Sequence, residues 1–517
     1  MKAQRKNSKI NDWRGNILAI VKSKFFYFAL FFVVLNLFLT KEMLKGNSNG
    51  YTIVFILGEL AVEIIVLGVI FYMRKKDFPL EKLFLVVSIP MGIGFALLLP
   101  LGQAPDEPSH IFRAYGISRG DVFVSVDPEL GAGSEMPRNL LDNLTWDPGI
   151  GTIRNLYGNI FEPVSEETVF QRYEGTASYN PICYIPQVIG IIIAKIFSAP
   201  MLVSLYMARL FNLAAFIIII YYAIKIAPRF KNFILFIAIT PIAMQQAASF
   251  SPDALMISVG IFLISYVMSL IYVKKDKLST AGFAMLYVLA VLIGLLKIVY
   301  LPLLLLYFLI PDKVFGSRKS KIIHAVIMML VVAVVNFGWM SYSSIFLTTI
   351  DGADSGAQLS FMLSHPLAFL GVLMRTLQVN LRFYAMSGLG TILGTLQIRV
   401  PELYTFFSAG ILLLMFAQNK EYLKSTTIQR VVYVLVFAVI TLLIFVGLYI
   451  QWTPVASPII DGVQGRYFLP FILLMPMFLY GSKPSEVRPS LIKKEHILMY
   501  GAFMNICALA CVVVTNF

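Results

Sequence analysis

Apolar runs long enough to cross a bilayer recur from one end of this chain to the other, and no water-soluble fold can bury them all. An α-helix rises about 1.5 Å per residue, so roughly 20 apolar residues match a hydrocarbon core about 30 Å thick. Runs near that length are read at Phe25 to Thr40, Tyr51 to Met73, Leu83 to Leu99, Met201 to Ile226, Phe233 to Phe250 and Ala254 to Val273. Others follow at Ala281 to Leu296, Tyr300 to Ile310, Ile322 to Tyr342, Leu403 to Ala417, Val431 to Ile450, Tyr467 to Tyr480 and Ile497 to Val514. Hydrophobic residues make up 58% of the chain and charged residues 14%, well short of the usual quarter. The expected fold class is all-α, a polytopic integral membrane protein of about thirteen transmembrane helices.

Lysine and arginine mark one face. They cluster in the N-terminal arm (Lys2, Arg5, Lys6, Lys9, Arg14), then at Arg74 to Lys76, Lys225 to Lys231, Lys274 to Lys277 and Lys313 to Lys321. Later clusters are Lys420 to Arg430 and Lys483 to Lys494. Every second connection is basic, which places the N-terminus and these loops in the cytoplasm; Lys41 and Lys45 are the exception. The alternation holds only if the apolar stretch Cys183 to Phe197 lies along the outer surface as a juxtamembrane or re-entrant helix. The net charge of +14 is then cytoplasmic anchoring beside anionic lipid, and no nucleic-acid partner is expected. The first run lacks a small-residue cleavage site and reads as a retained helix. Cys183, Cys507 and Cys511 form no metal or disulfide framework, and the four histidines are too few for a histidine-rich centre. Large outer loops are expected at residues 101–200 and 343–401, between a cytoplasmic arm with two helices (1–80), a membrane core (81–480) and a last loop and helix (481–517).

Residues that carry chemistry gather on the outer side. The stretch Pro105 to Tyr115 brings Asp106, Glu107, His110 and Arg113 to the point where a helix leaves the membrane. Pro108 suits a first helical turn, and Asp106, His110, Arg113 and Ile117 then share one face. Capping with solvated ion pairs is the plain alternative; the position at a membrane interface favours function. Asp253, after Ser251 and Pro252, fits an N-cap as well as it fits catalysis. Lys297, between two apolar segments, either snorkels or meets an anionic ligand such as a lipid phosphate. Gly462 to Pro470 offers Arg466, a planar fork suited to phosphate, with Gln464 beside it and glycines that permit close backbone approach. Glu59 and Glu63 share a helix face inside the second span, where buried acids are rarely idle. Arg209 near the outer end of its span reads as an anchor.

Together the segments PDEPSHIFRAYGISRGDVF, ASFSPDAL and GVQGRYFLP resemble the bacterial membrane-protein family catalogued as domain of unknown function 2142. That family looks like a branch of the GT-C glycosyltransferases, polytopic enzymes of the plasma membrane that use lipid-phosphate sugars outside the cytoplasm. The resemblance implies a GT-C-like core with outer-face juxtamembrane helices. It places Asp106 and Glu107 at the acidic pair of the first outer loop, Asp253 at a later outer acid, and Lys297 opposite lipid phosphate. Two spans precede the helix that is first in those relatives, and the large soluble domain some of them carry is missing.

The expected activity is inverting transfer of a sugar from a polyprenyl-phosphate donor to an extracytoplasmic glycan or lipid-linked acceptor. Asp106 would take the acceptor proton, with Glu107 as its partner or as a metal ligand beside it. His110 and Arg113 would orient carboxylates or bind sugar or phosphate. Lys297, Arg466 or a divalent ion such as Mg or Mn would receive the leaving phosphate. The alternatives are a flippase or a non-catalytic assembly protein for lipid-linked glycans. A flippase needs a polar path across the membrane, for which Glu59 and Glu63 are the main support.

Overall fold

The computed structural model describes residues 24–46, 48–145, 147–149, 152, 157–346, 352–417, 423–479 and 492–516. The N-terminal basic arm, Asp351, Lys420, Lys483 and Arg488 lie outside the described residues.

Among the described residues, eight helices are long and apolar enough to cross a membrane: α1 (Lys24–Met43), α2 (Asn49–Lys75), α3 (Leu80–Leu98), α6 (Met201–Ile226), α9 (Asp253–Tyr272), α11 (Arg318–Ser343), α15 (Thr427–Gln451) and α16 (Lys494–Asn516). Between them lie α4 (Glu107–Ile117), α5 (Ile185–Ile196), α7 (Lys231–Ala238), α8 (Pro241–Ala247), α10 (Thr280–Leu296), α12 (Ser355–Ser364), α13 (Pro366–Leu389) and α14 (Leu403–Ala417). The last helix is no peripheral addition. It is the most enclosed of the eight and packs against α1, α2, α3 and α7. Its small residues Gly501, Ala502, Cys507, Ala508 and Ala510, spread around the helix, let neighbours close in on it from several sides.

Several expected spans are not single helices. Residues 233–250 break at Pro241 into α7 and α8. Residues 300–310 lie in a 3-10 helix, Ile298–Leu309, with Pro302 inside it. Residues 467–480 begin as a 3-10 turn, Gly465–Phe471, containing Pro470. Proline removes a donor and blocks the preceding turn, and membrane-depth backbone tolerates this where protein surrounds it. Side chains replace the lost ladder: Asn505 Nδ2 donates to the Ile239 carbonyl at 2.7 Å, and Asn212 Nδ2 to those of Ser249 (2.8 Å) and Ser251 (3.2 Å).

Nor is the chain wholly helical. Residues 101–180 carry a three-stranded antiparallel sheet, β1 (Ser125–Asp127), β2 (Gly131–Pro137) and β3 (Thr168–Arg172), in the order β1-β2-β3. Residues 343–401, expected as loop, contain α12 and α13, bent by 107° at His365. Three kinds of side chain divide α13: Val372, Thr376 and Tyr384 are buried, Leu367, Leu370, Met374, Leu377 and Leu381 form an exposed apolar stripe, and Arg375, Gln378 and Arg382 are exposed beside it. Those polar residues interrupt the apolar run and hid the helix. The 12-residue α5 is about 18 Å long, too short to cross, and exposes Ile185, Ile189, Ile192 and Ile196 along one side.

Contacts sort the loops onto two faces. Lys494 Nζ meets Asp77 Oδ1 at 2.7 Å, and Leu278 N–H bonds the Val314 carbonyl at 2.8 Å, joining basic connections. At the other face Gln103 Nε2 reaches Asn516 Oδ1 at 2.7 Å, and Gln397 Nε2 reaches Asp147 Oδ1 at 2.9 Å. The three cysteines are buried, so new exposed thiols stand out. We expect Glu129→Cys to react with an impermeant maleimide from outside intact cells and Lys319→Cys to react only after permeabilisation. The reverse pattern inverts the orientation.

Candidate active site

The site is built on a turn. After α3, Gly102 takes φ +95° and Asp106 takes φ +58°, a left-handed conformation uncommon outside glycine. That reversal sends consecutive carboxylates opposite ways. Asp106 stands exposed at the N-cap position, yet its side chain makes no capping hydrogen bond, while Glu107 is fully buried.

Glu107 is bound from all sides. Arg209 of α6 donates from Nε to Oε1 at 2.9 Å and from Nη2 to Oε2 at 2.6 Å. The backbone N–H groups of Gly102 (3.0 Å), Ala104 (3.3 Å) and Phe250 (3.1 Å) donate to the same carboxylate. Arg209 spends its remaining donors on the carbonyls of Ala96 (3.0 Å), Leu99 (2.6 Å) and Pro100 (3.1 Å). The expectation that Glu107 is catalytic or holds a metal is therefore corrected: its lone pairs are taken and its charge is neutralised. With the Glu107 oxygens occupied by five donors, the Asp106 and Glu107 pair is not open to a metal ion as it stands, and among the described residues no group of three His, Cys, Asp or Glu side chains is placed to hold one.

Asp106 looks instead onto a cluster drawn from four distant segments. Asp253, first residue of α9, leaves capping aside and accepts from Arg466 Nε at 2.7 Å. Arg466 also donates to Gln464 Oε1, and its guanidinium carbon lies 5.0 Å from the centre of the Tyr467 ring. Lys297 Nζ sits 4.6 Å from the centre of the same ring. His110 Nδ1 is 2.8 Å from the Tyr184 hydroxyl, and its ring meets Tyr179 edge-on at 5.5 Å. Asp106, Asp253 and Arg466 act electrostatically on both His110 and Lys297, which places all five charged or titratable groups around one space. Burial lowers the His110 imidazole to about 4 against the pull of Asp106 and Asp253, so it is neutral at physiological pH. Burial lowers the Lys297 ammonium too.

The chain thus brings Asp106, His110, Asp253, Lys297, Gln464 and Arg466 together, and leaves Arg113 out. Arg113 is buried and donates to the Asp121 and Val122 carbonyls, both at 2.9 Å, tying down the chain that leaves α4. The glycines beside Arg466 serve a close approach, but to protein. A Cβ on Gly465 would lie 2.0 Å from the Tyr384 carbonyl oxygen, and Gly465 N–H bonds Ser387 Oγ at 2.8 Å. Tyr179, Tyr184 and Tyr467 were missed, since isolated tyrosines in apolar sequence carry no spacing signal. Tyr467, adjacent to Arg466, was the one within reach. Glu59 and Glu63 lie elsewhere, with Glu63 bonded to Asn36 Nδ2 of α1 at 2.8 Å.

A family model described as "Predicted membrane protein (DUF2142)" matches residues 90–475, more than half of the chain. No curated protein and no solved structure matches it.

We expect Glu107→Gln and Arg209→Leu each to cost about 3–5 kcal/mol of stability, because each strands a buried charge or donor. The double Glu107→Leu, Arg209→Leu variant is expected to lose less than the two single losses added, measured by thermal unfolding in detergent. Proton linkage at His110 has a fixed sign. Its folded value of about 4 lies below the usual 6.5, so the stability it contributes is present above pH 6.5 and lost as pH falls toward 4. Unfolding midpoints should decline through that window, and His110→Gln should flatten the decline.

Proposed function

The chain belongs to the DUF2142 family of predicted membrane proteins, and we propose that it is a GT-C-like membrane glycosyltransferase. It moves a sugar from a polyprenyl-phosphate donor to a hydroxyl of an extracytoplasmic glycan or lipid-linked polymer. The observation that carries this reading is the pairing of an exposed, uncapped carboxylate, Asp106, with two cations, Lys297 and Arg466, around one space at the end of apolar helices.

Asp106 is the base. Its carboxylate takes the proton of the acceptor hydroxyl as the acceptor oxygen bonds to the anomeric carbon. The bond from that carbon to the phosphate oxygen breaks, the configuration inverts, and the polyprenyl phosphate leaves with the electron pair. Its growing charge is met by Arg466, already held by Asp253 and Gln464, and by Lys297 beside the Tyr467 ring. Asp253 holds the Arg466 fork in position, and neutral His110 offers a hydrogen bond to a sugar hydroxyl. The flippase alternative draws less support, because Glu63 bonds to Asn36 of α1 and, among the described residues, no candidate residue links Glu59 and Glu63 to the cluster around Asp106.

Purified protein should consume a polyprenyl-phosphate sugar in the presence of acceptor. We expect Asp106→Asn to lower turnover by about 10²–10⁴-fold with the unfolding midpoint unchanged. Arg466→Lys should retain only part of the rate, since an ammonium does not reproduce the fork. Asp106→Asn turning over at the normal rate would remove Asp106 as base; donor left intact by wild type would remove the enzyme reading.

A further inference from the structure

Far from that cluster, at the basic-loop end of the molecule, α1, α14 and the start of α16 enclose a cavity of about 820 Å³. That size falls within the range of about 300–1,000 Å³ typical of small-molecule sites. Its walls are Phe25, Phe28, Phe31 and Phe32 of α1, Phe406, Phe407, Ile411 and Leu414 of α14, and its rim carries Lys24, Arg74, Lys493 and His496. Phe31 and Phe406 are 50% and 66% exposed, so the apolar wall opens sideways, where the bilayer would lie. The gap has a structural origin. Gly410 lines it in mid-helix, and a Cβ built there meets nothing within 4 Å. Glycine weakens a helix interior relative to any aliphatic residue, so sequence alone gives no reason for it here.

The rim is matched to an anion. Lys24, Arg74 and Lys493 are exposed, and among the described residues none has a carboxylate within 4 Å of its charged group. Arg74 is held over the Phe25 ring at 4.9 Å, and His496 packs edge-on against Phe25 and Phe28. Glu495 is the one acid in the lining. Cations at the mouth of an apolar cleft, on the face that the positive-inside rule puts in the cytoplasm, suit an acyl chain below and a phosphate above.

We propose that this cavity is a binding site for an anionic phospholipid of the cytoplasmic leaflet, with one acyl chain against the phenylalanines and the headgroup phosphate held by Lys24, Arg74 and Lys493. The site is separate from the cluster around Asp106 and stands whether or not the glycosyltransferase reading does.

The test is lipid retention by the full-length chain in detergent, read by native mass spectrometry after incubation with dioleoyl phosphatidylglycerol or dioleoyl phosphatidylcholine. Wild type should retain phosphatidylglycerol about tenfold more strongly, the order expected of a few juxtamembrane cations. Lys24→Gln with Arg74→Gln should erase that preference and leave phosphatidylcholine retention as it was. Gly410→Leu should fill the cleft and abolish retention of both lipids while unfolding at or above the wild-type temperature, because leucine is the better helix former. If that variant fails to fold, Leu414→Trp fills the same space from an exposed position. Equal retention of the two lipids by wild type, or retention unaffected by filling the cleft, would overturn the proposal. So would a rise in retention on removing residues 1–23, which would make the basic arm the natural occupant.

Discussion

The buried ion pair between Glu107 and Arg209 is the constraint on which the candidate site of this molecule rests. It joins the turn after α3, the N-terminal half of α6 and the bend before α9 through a single carboxylate and a single guanidinium. Each of the five guanidinium donors has an acceptor, as burial at that depth requires. With both groups fully enclosed, removing one partner is far worse than removing both. The pair also fixes where Asp106 can be. Once Glu107 is turned inward, the left-handed residue before it has to present its side chain outward, and the helix that follows carries His110 into the same space.

Irregular backbone concentrates around that space. Asp253 follows a broken helix, Lys297 separates α10 from a 3-10 segment, and Arg466 lies in a 3-10 turn. Regular helices place side chains at fixed intervals along a cylinder and rarely bring several onto one point. Breaks release the backbone to deliver a side chain end-on, at the cost of carbonyls that need partners. Asn212 and Asn505 donate to such carbonyls from neighbouring helices, and Ser387 accepts from the freed Gly465 N–H. The polar residues here thus divide into those that satisfy backbone and those gathered around the space beside Asp106.

A second polar cluster does a different task. Asn36 of α1 donates to Glu63 of α2 and to the Phe503 carbonyl of α16, and accepts from Tyr404 of α14. Lipid tails give helices little hydrophobic reason to associate, so close packing and interhelical hydrogen bonds decide which pairs meet. The N-terminal helical pair, which precedes the matched residues 90–475, is docked onto the rest of the bundle by these bonds.

The amino-acid sequence by itself determined the class of molecule, the alternation of basic and non-basic connections, and the short lists around Asp106, Asp253, Lys297 and Arg466. Hydropathy and charge are additive along a chain and are legible without knowing what touches what. Tertiary structure decided the rest. Glu107 and Asp106 are neighbours of the same chemistry in the sequence, and only the approach of Arg209, 102 residues on, makes one a buried anchor and leaves the other free. His110 and Arg113 lie one turn apart, yet one faces the cluster and the other holds backbone, because the chain after α4 folds back over Arg113. Helix breaks inside apolar runs escaped the hydropathy reading for the same reason. A proline marks where a break is permitted, but surrounding protein, which alone satisfies the freed carbonyls, determines that it occurs.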